Sequence, residues 1–460
     1  MATLLLKNAD LLLTMDGARR KIAQGGLYVR DNVIEQVGPS AELPATADQV
    51  IDASGMIVMP GLINTHHHLY QTLTRALPGA QDAELFDWLT RLYPVWSELT
   101  DEAVFVSALV GMAEMVLTGC TTTTDHLYLY PNDCTLDAEI RAAAELGIRF
   151  QPTRGSMSLG RSKGGLPPDE VVQPEDVILA DCRRVIERYH DPRPYAMVRI
   201  ALAPCSPFSV TADLMREAAA LARSYPGVML HTHVAETRDE ERFCLDKFGA
   251  RPAEYMRQLG WVGPDVWWAH AIWLNHDEIE MLAETGTGVA HCPASNMRLG
   301  SGICPVPEMR QAGVKVGLAV DGSASNDTCN VLEEARQALL LQRVAKGAAA
   351  FAVMEALELG TVGSAAVLNR DDLGQLAPGK AADFIGMRLD RLEMAGGAVH
   401  DPVAALLLCP PRSVDLSVIN GRPIVRDGRL IGLDLEPLVA RHNALARAMA
   451  SRHPAPTSRS

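Results

Sequence analysis

"PGLINTHHHLY", residues 60–70, sets three histidines directly behind a short apolar run. In an extended backbone alternate side chains share a face, so His66 and His68 point one way and His67 the other. Two neutral imidazole nitrogens at one spot are the beginning of a metal site. A polar loop would read the same way, so the H-x-H alone leaves both readings open. The rest of the chain has to decide between them.

The apolar run before these histidines, 57–64, is the first of eight. Strand-like stretches recur near 120–125, 148–153, 197–203, 228–233, 265–270, 286–291 and 314–320, with helical patterns between most of them. Thr100 is a suitable N-cap for "DEAVFVSALVGMAEMVLT", and Gly119 is its stop. Thr211 caps a second helix, "TADLMREAAALARSY". Strands alternating with helices over residues 57–370 predict an α/β fold, a (β/α)8 TIM-like barrel. The Gly/Pro-rich stretch 155–170 after the third strand is expected to cover a substrate.

The two ends have a different texture. Residues 1–56 and 371–435 read as short strands and turns, with Asn420-Gly421 and Asp427-Gly428 as strong hairpin signals. They are expected to join into one small composite β-sandwich domain. Residues 436–460 should supply a terminal helix and then, from "SRHPAPTSRS", a disordered tail.

Composition narrows the function classes. A chain of 460 residues, 48% hydrophobic, has room for one large domain and an accessory one. The net charge of −14 argues against a nucleic-acid surface. Nine scattered cysteines without C-x-x-C spacing read as reduced thiols. No leader pattern and no membrane-length apolar run are visible. These features predict a cytoplasmic protein that works on a small molecule, off the membrane, with a homo-oligomer compatible with all of them.

In a barrel of this kind the active site lies at the C-terminal ends of the strands. Metal-competent residues recur there: His66 and His68 after strand one, Asp125-His126 after strand two, "HTHVAE" after five, "WAHA" after six, "AHCP" after seven and "VDG" after eight. Chance placement of 13 histidines would not produce this. The metal reading therefore outweighs the loop reading. His233 lies nearer the barrel mouth than His231, which reads as a buried layer residue. His66, His68, His233 and Asp321 make a ligand set that leaves one position open on a zinc-like ion, as hydrolytic sites require. Glu236 is placed to move a proton to a leaving group. His270 and Asp321 are placed to hold the attacking water.

These same motifs, "PGLINTHHH", "HTHVAE", "AHAIWL", "HCPASNMRLGSG", "LAVDGSASND" and "LAPGKAADF", resemble the amidohydrolase superfamily over nearly the whole chain. They are most similar to its branch of aromatic-base deaminases and triazine hydrolases. The resemblance implies a divalent metal, most simply one Zn2+, on His66, His68, His233 and Asp321. It implies proton transfer by Glu236 and water positioning by His270 and Asp321. "MVRIALAPCSPF" offers no lysine to bridge a second ion. Within the branch, the stretches following His68 and Arg154 look most like deaminases of oxidised purine bases. Guanine deaminases of the family carry an arginine where this chain has Cys205, which points away from guanine itself. Gln71 and Cys205 are candidate substrate contacts. His126 is another, although it would serve equally well as a strand cap. Guanine, pterin or adenosine-type deamination and triazine amino- or chlorohydrolysis are the alternatives. A catalytically dead barrel would have lost ligands, and none is missing here. His291 receives no chemical role. His190, His276, His400, His442 and His453 read as surface or structural.

Overall fold

The computed structural model describes residues 2–453. Eight parallel strands form wherever the sequence reading placed one: Leu62–Asn64, Cys120–Leu127, Arg149–Ser156, Ala201–Pro204, Met229–Val234, Val266–His270, Gly288–His291 and Lys315–Leu318. They lie side by side in chain order. Cys120–Leu127 and Arg149–Ser156 are buried at every residue, as strands wrapped by helices should be. The helices between them start as expected. Thr100 accepts from Ala103 N and Thr211 from Leu214 N.

The seam between the eighth strand and the first closes the barrel and carries three of the four candidate ligands. Thr65 N and Oγ1 both donate to Leu318 O, at 3.0 and 2.8 Å. A two-residue parallel ladder then sets Asp321–Gly322 beside His67–His68. Gly322 leaves room there for Gln71, since a Cβ would fall 1.9 Å from Gln71 Oε1 and displace that side chain.

The run 57–64, expected as a single strand, is two. Met56–Pro60 pairs with Leu11–Leu12 and with Phe384–Arg388 in the second sheet, while Leu62–Asn64 enters the barrel. Gly61 is the switch, where a Cβ would meet Thr121 Oγ1 at 2.1 Å. Unbroken apolarity cannot reveal that its two halves belong to different sheets.

That second sheet has nine strands drawn from both ends of the chain. It curls until Val33 bridges Ala381, and it encloses a core that includes Leu6, Leu12, Leu27, Val58, Phe384 and Val418. Asn420, Gly421, Asp427 and Gly428 have φ between +51° and +76°, the left-handed backbone that tight hairpins need. The terminal helix runs Leu435–Arg452, two residues into the stretch expected to be disordered. Residues 454–460 of that stretch lie outside the described residues. Among the described residues, no helix is long and apolar enough to cross a membrane. All nine cysteines are free thiols.

Candidate active site

Three imidazoles converge at the C-terminal mouth of the barrel. Each has its Nδ1 hydrogen already committed. His68 Nδ1 donates to His126 O at 2.8 Å and His233 Nδ1 to Cys205 O at 2.6 Å. His66 Nδ1 lies 2.7 Å from His231 Nε2, and His231 Nδ1 lies 2.9 Å from Trp267 O. A carbonyl can only accept, so His231 carries its hydrogen on Nδ1 and receives one from His66 on Nε2. The Nε2 atoms of His66, His68 and His233 are therefore bare lone pairs. Burial drives all three imidazoles below their usual pKa, which keeps them neutral.

Lone pairs in this arrangement repel unless a cation lies among them. His66 Nε2 is buried and has no hydrogen-bond partner. His68 Nε2 is 3.2 Å from His233 Nε2, and Asp321 Oδ1 is 3.3 Å from His66 Nε2 and 3.4 Å from His68 Nε2. Ligands on a tetrahedral zinc at the usual bond lengths stand about 3.3 Å apart. The donor set thus fits a divalent ion in chemistry, protonation and spacing. His66, His68 and His233 fall within one group of mutually close candidate ligands, and His66 with Asp321 in a second.

Asp321 is held from two further sides, by Ser295 Oγ at 2.6 Å and by its neighbour Gly322 N at 2.7 Å. Burial pushes its carboxyl up, but the net shift is downward, toward the ionised form that the Ser295 and Gly322 donors favour. Glu236 shows the opposite balance. Burial first, then the charges of Asp321 and Glu240, raise its pKa well above the ordinary carboxyl range. Its Oε2 lies 3.5 Å from His270 Nε2, which is 3.9 Å from Asp321 Oδ2. His270 Nδ1 is fixed at 3.2 Å from Asn296 Oδ1. The backbone here is strained. Ala235, His270, Ala271 and Asp321 all have φ between +49° and +73°. Such positions cost roughly 1–3 kcal/mol each and concentrate at sites that need one fixed geometry.

Beside this cluster opens a pocket that, with the open solvent at its mouth included, holds about 410 Å³ of empty space. Its walls are Trp88, Tyr93, Tyr128 and Phe208 with Leu85, Leu89 and Leu299, and its polar lining includes Gln71, Ser206, Glu236, His270 and Asp321. No lysine or arginine is among the lining residues. Gln71 and Cys205, both expected at the substrate, line it. Burial raises the Cys205 thiol to about 12, so it is present as the neutral S–H. His126 is fully buried away from the cavity wall. Its Nε2 is 2.9 Å from Ala203 O and its ring stacks on His233 at 4.9 Å, so the structure places it under the imidazoles rather than in the substrate space.

The stretch 155–170 is not the cover it was expected to be. Leu159 N and Leu166 N donate to Ser209 O and Phe208 O, so the loop braces the wall that Phe208 forms. The helix Leu85–Trp96 lines the pocket instead, through Leu85, Trp88, Leu89 and Tyr93. Sequence reasoning also missed Ser295 and Asn296. Both lie in the quoted "HCPASNMRLGSG", yet nothing in that string shows that they face Asp321 and His270.

Comparison with known proteins agrees with this geometry. The model of the amidohydrolase family matches residues 57–424. The chain is 49% identical to 8-oxoguanine deaminase of Pseudomonas aeruginosa, over 96% of this chain and 98% of the relative. It is 40% identical to hydroxydechloroatrazine ethylaminohydrolase of Pseudomonas sp. strain ADP, over 94% and 93%. Among solved structures, atrazine chlorohydrolase from Arthrobacter aurescens complexed with zinc superposes with a TM-score of 0.92 at 35% identity, covering 96% of this chain and all of that one (100%). The chain belongs to the amidohydrolase family. It is a hydrolase of that family, with a histidine–aspartate cluster of metal-ligand type at the barrel mouth.

Proposed function

We propose that the protein is a hydrolytic deaminase of 8-oxoguanine that yields urate and ammonia. The reaction class rests on one observation: Glu236, His270 and Asp321 converge beside three bare imidazole nitrogens at the edge of an aromatic-walled cavity. The base is supported by the 49% identical deaminase and by a cavity without lysine or arginine, suited to a flat neutral ring.

His66, His68, His233 and Asp321 would hold one divalent ion, which we take to be Zn2+. Such an ion lowers the pKa of a water it binds to about 7, giving a hydroxide-like nucleophile at neutral pH. The chain's own residues supply the rest. Trp88, Tyr93, Tyr128 and Phe208 sandwich the base and exclude water. The Gln71 amide, the Cys205 thiol and Ser206 offer neutral donors and acceptors to its edge. Protonated Glu236 delivers its proton to the ring nitrogen beside the amine-bearing carbon. Asp321 and His270 accept the proton that the water loses. A C–O bond forms, the C–N bond breaks, and the amine leaves with that proton as ammonia, while the remaining hydrogen of the former water passes back to Glu236 as the new C=O forms.

Turnover of 8-oxoguanine in ¹⁸O-labelled water tests this. One labelled oxygen in urate and one ammonia per base are expected. Urate without label, or no ammonia, would contradict hydrolytic deamination.

A further inference from the structure

Glu236 sits on a turn supported by a carboxylate of the helix that follows it. Strand Met229–Val234 ends at Ala235, a non-glycine residue at φ +55°, and the next residue is Glu236. Four residues later, Glu240 reaches back. Its Oε1 accepts from Ala235 N at 2.9 Å and its Oε2 from Glu236 N at 2.8 Å. Glu240 is the third residue of the helix Arg238–Phe248, whose cap Thr237 accepts from Glu240 N. In the common capping box the glutamate at this position bonds the cap residue's own N–H. Here it passes the cap and takes the two N–H groups before it.

The location makes this arrangement expensive. Glu240 is fully buried, and both its oxygens are committed to backbone donors. A buried carboxylate is costly unless something compensates it, and an apolar residue would avoid that cost while leaving two buried N–H groups bare. On the other side of the turn, Ala235 O accepts from Ile272 N and Trp273 N, and Val234 O from Ala271 N, just after His270. The turn is thus held between the Glu240 carboxylate and the strand-six loop.

We propose that Glu240 is a positioning residue for proton transfer. By clamping the N–H groups of Ala235 and Glu236, it holds the left-handed turn that aims Glu236 at His270 and the cavity. This rests on the proton role assigned to Glu236. Glutamine cannot replace it, since its NH2 would face a backbone N–H, donor against donor.

A double-mutant cycle tests the clamp on zinc-loaded enzyme, with kcat, KM, zinc content and melting temperature measured for every member. Glu240→Gln alone should lower kcat about 10- to 100-fold, the scale of a misplaced catalytic group, with KM and zinc content near wild type. In a Glu236→Gln background the same change should cost less than about twofold, because no proton remains to be aimed. An equal loss in both backgrounds, or full kcat in folded Glu240→Gln, would overturn the clamp. Near-normal turnover in Glu236→Gln alone would instead overturn the proton role beneath it. If Glu240→Gln does not fold, Glu240→Asp, which draws the carboxylate back by one carbon, takes its place in the cycle with the same outcomes.

Discussion

His231 shows how a residue's role depends on what lies across the barrel. Alternation along "VMLHTHVAE" places it inward, and its depth marks it as a layer residue rather than a ligand. Its actual work, taking the His66 Nδ1 hydrogen while bonded to Trp267 O, requires His66 at 2.7 Å from a strand 165 residues away. No spacing rule encodes that. The candidate ligand set was readable because it falls at one level on successive strands. Removing the partner of a ligating imidazole typically weakens metal binding 10- to 100-fold. His231→Leu should therefore raise the zinc dissociation constant by about that factor in chelator competition, and unchanged affinity would deny His231 its orienting role. Glu236→Gln should keep full zinc content while lowering kcat by on the order of 10²–10⁴. Loss of zinc in that variant would instead make Glu236 a ligand.

Elements were legible where hydrophobic period and caps agreed, and less so where direction mattered. All eight barrel strands and the Thr100 and Thr211 helix starts follow from pattern and caps. The substrate cover does not. Glycine and proline in 155–170 announce turns, but they cannot say whether those turns lean over the mouth or against its outer wall. In "ELFDWLTRLYPVW" the apolar residues read simply as a helix face. Only the assembled barrel shows that Leu85, Trp88, Leu89 and Tyr93 look into the cavity. Trp88 is also tied to the loop after strand eight through Ala324 O at 3.2 Å. Trp88→Ala should raise KM by on the order of tenfold through the lost stacking face, with zinc content unchanged. A KM equal to wild type would place the base elsewhere.

At the scale of the whole molecule, buried titratable groups pull stability in opposite directions with pH. Burial lowers His291 to about 3 and His442 to about 4. Between those values and about 6.5 the unfolded chain binds protons that the native one refuses, so these groups destabilise the fold as pH falls. Burial raises Glu240 to about 7 and Glu334 to about 8, which has the reverse effect: they are relieved as pH falls toward the unfolded value near 4.5. A variant isolates one contribution from the other. Denaturant unfolding at pH 7.5 and pH 5 should show His291→Phe losing about 2 kcal/mol less on acidification than wild type. Equal losses would mean that His291 is protonated in the fold.

The proposed substrate contacts also come together only in the assembled molecule, since Gln71, Cys205 and the aromatic walls come from four separate segments of the chain. Sites built to hydrogen-bond a substrate reject analogues lacking the partner group by 10⁴ or more. The most direct measurement is kcat/KM of the zinc-loaded enzyme for 8-oxoguanine against guanine, a pterin and a chlorotriazine, followed by ammonia or chloride release. The expected result is 8-oxoguanine preferred by orders of magnitude, with urate as product. A higher kcat/KM for guanine or the pterin would contradict the substrate, and preferred release of chloride would contradict the deaminase chemistry as well.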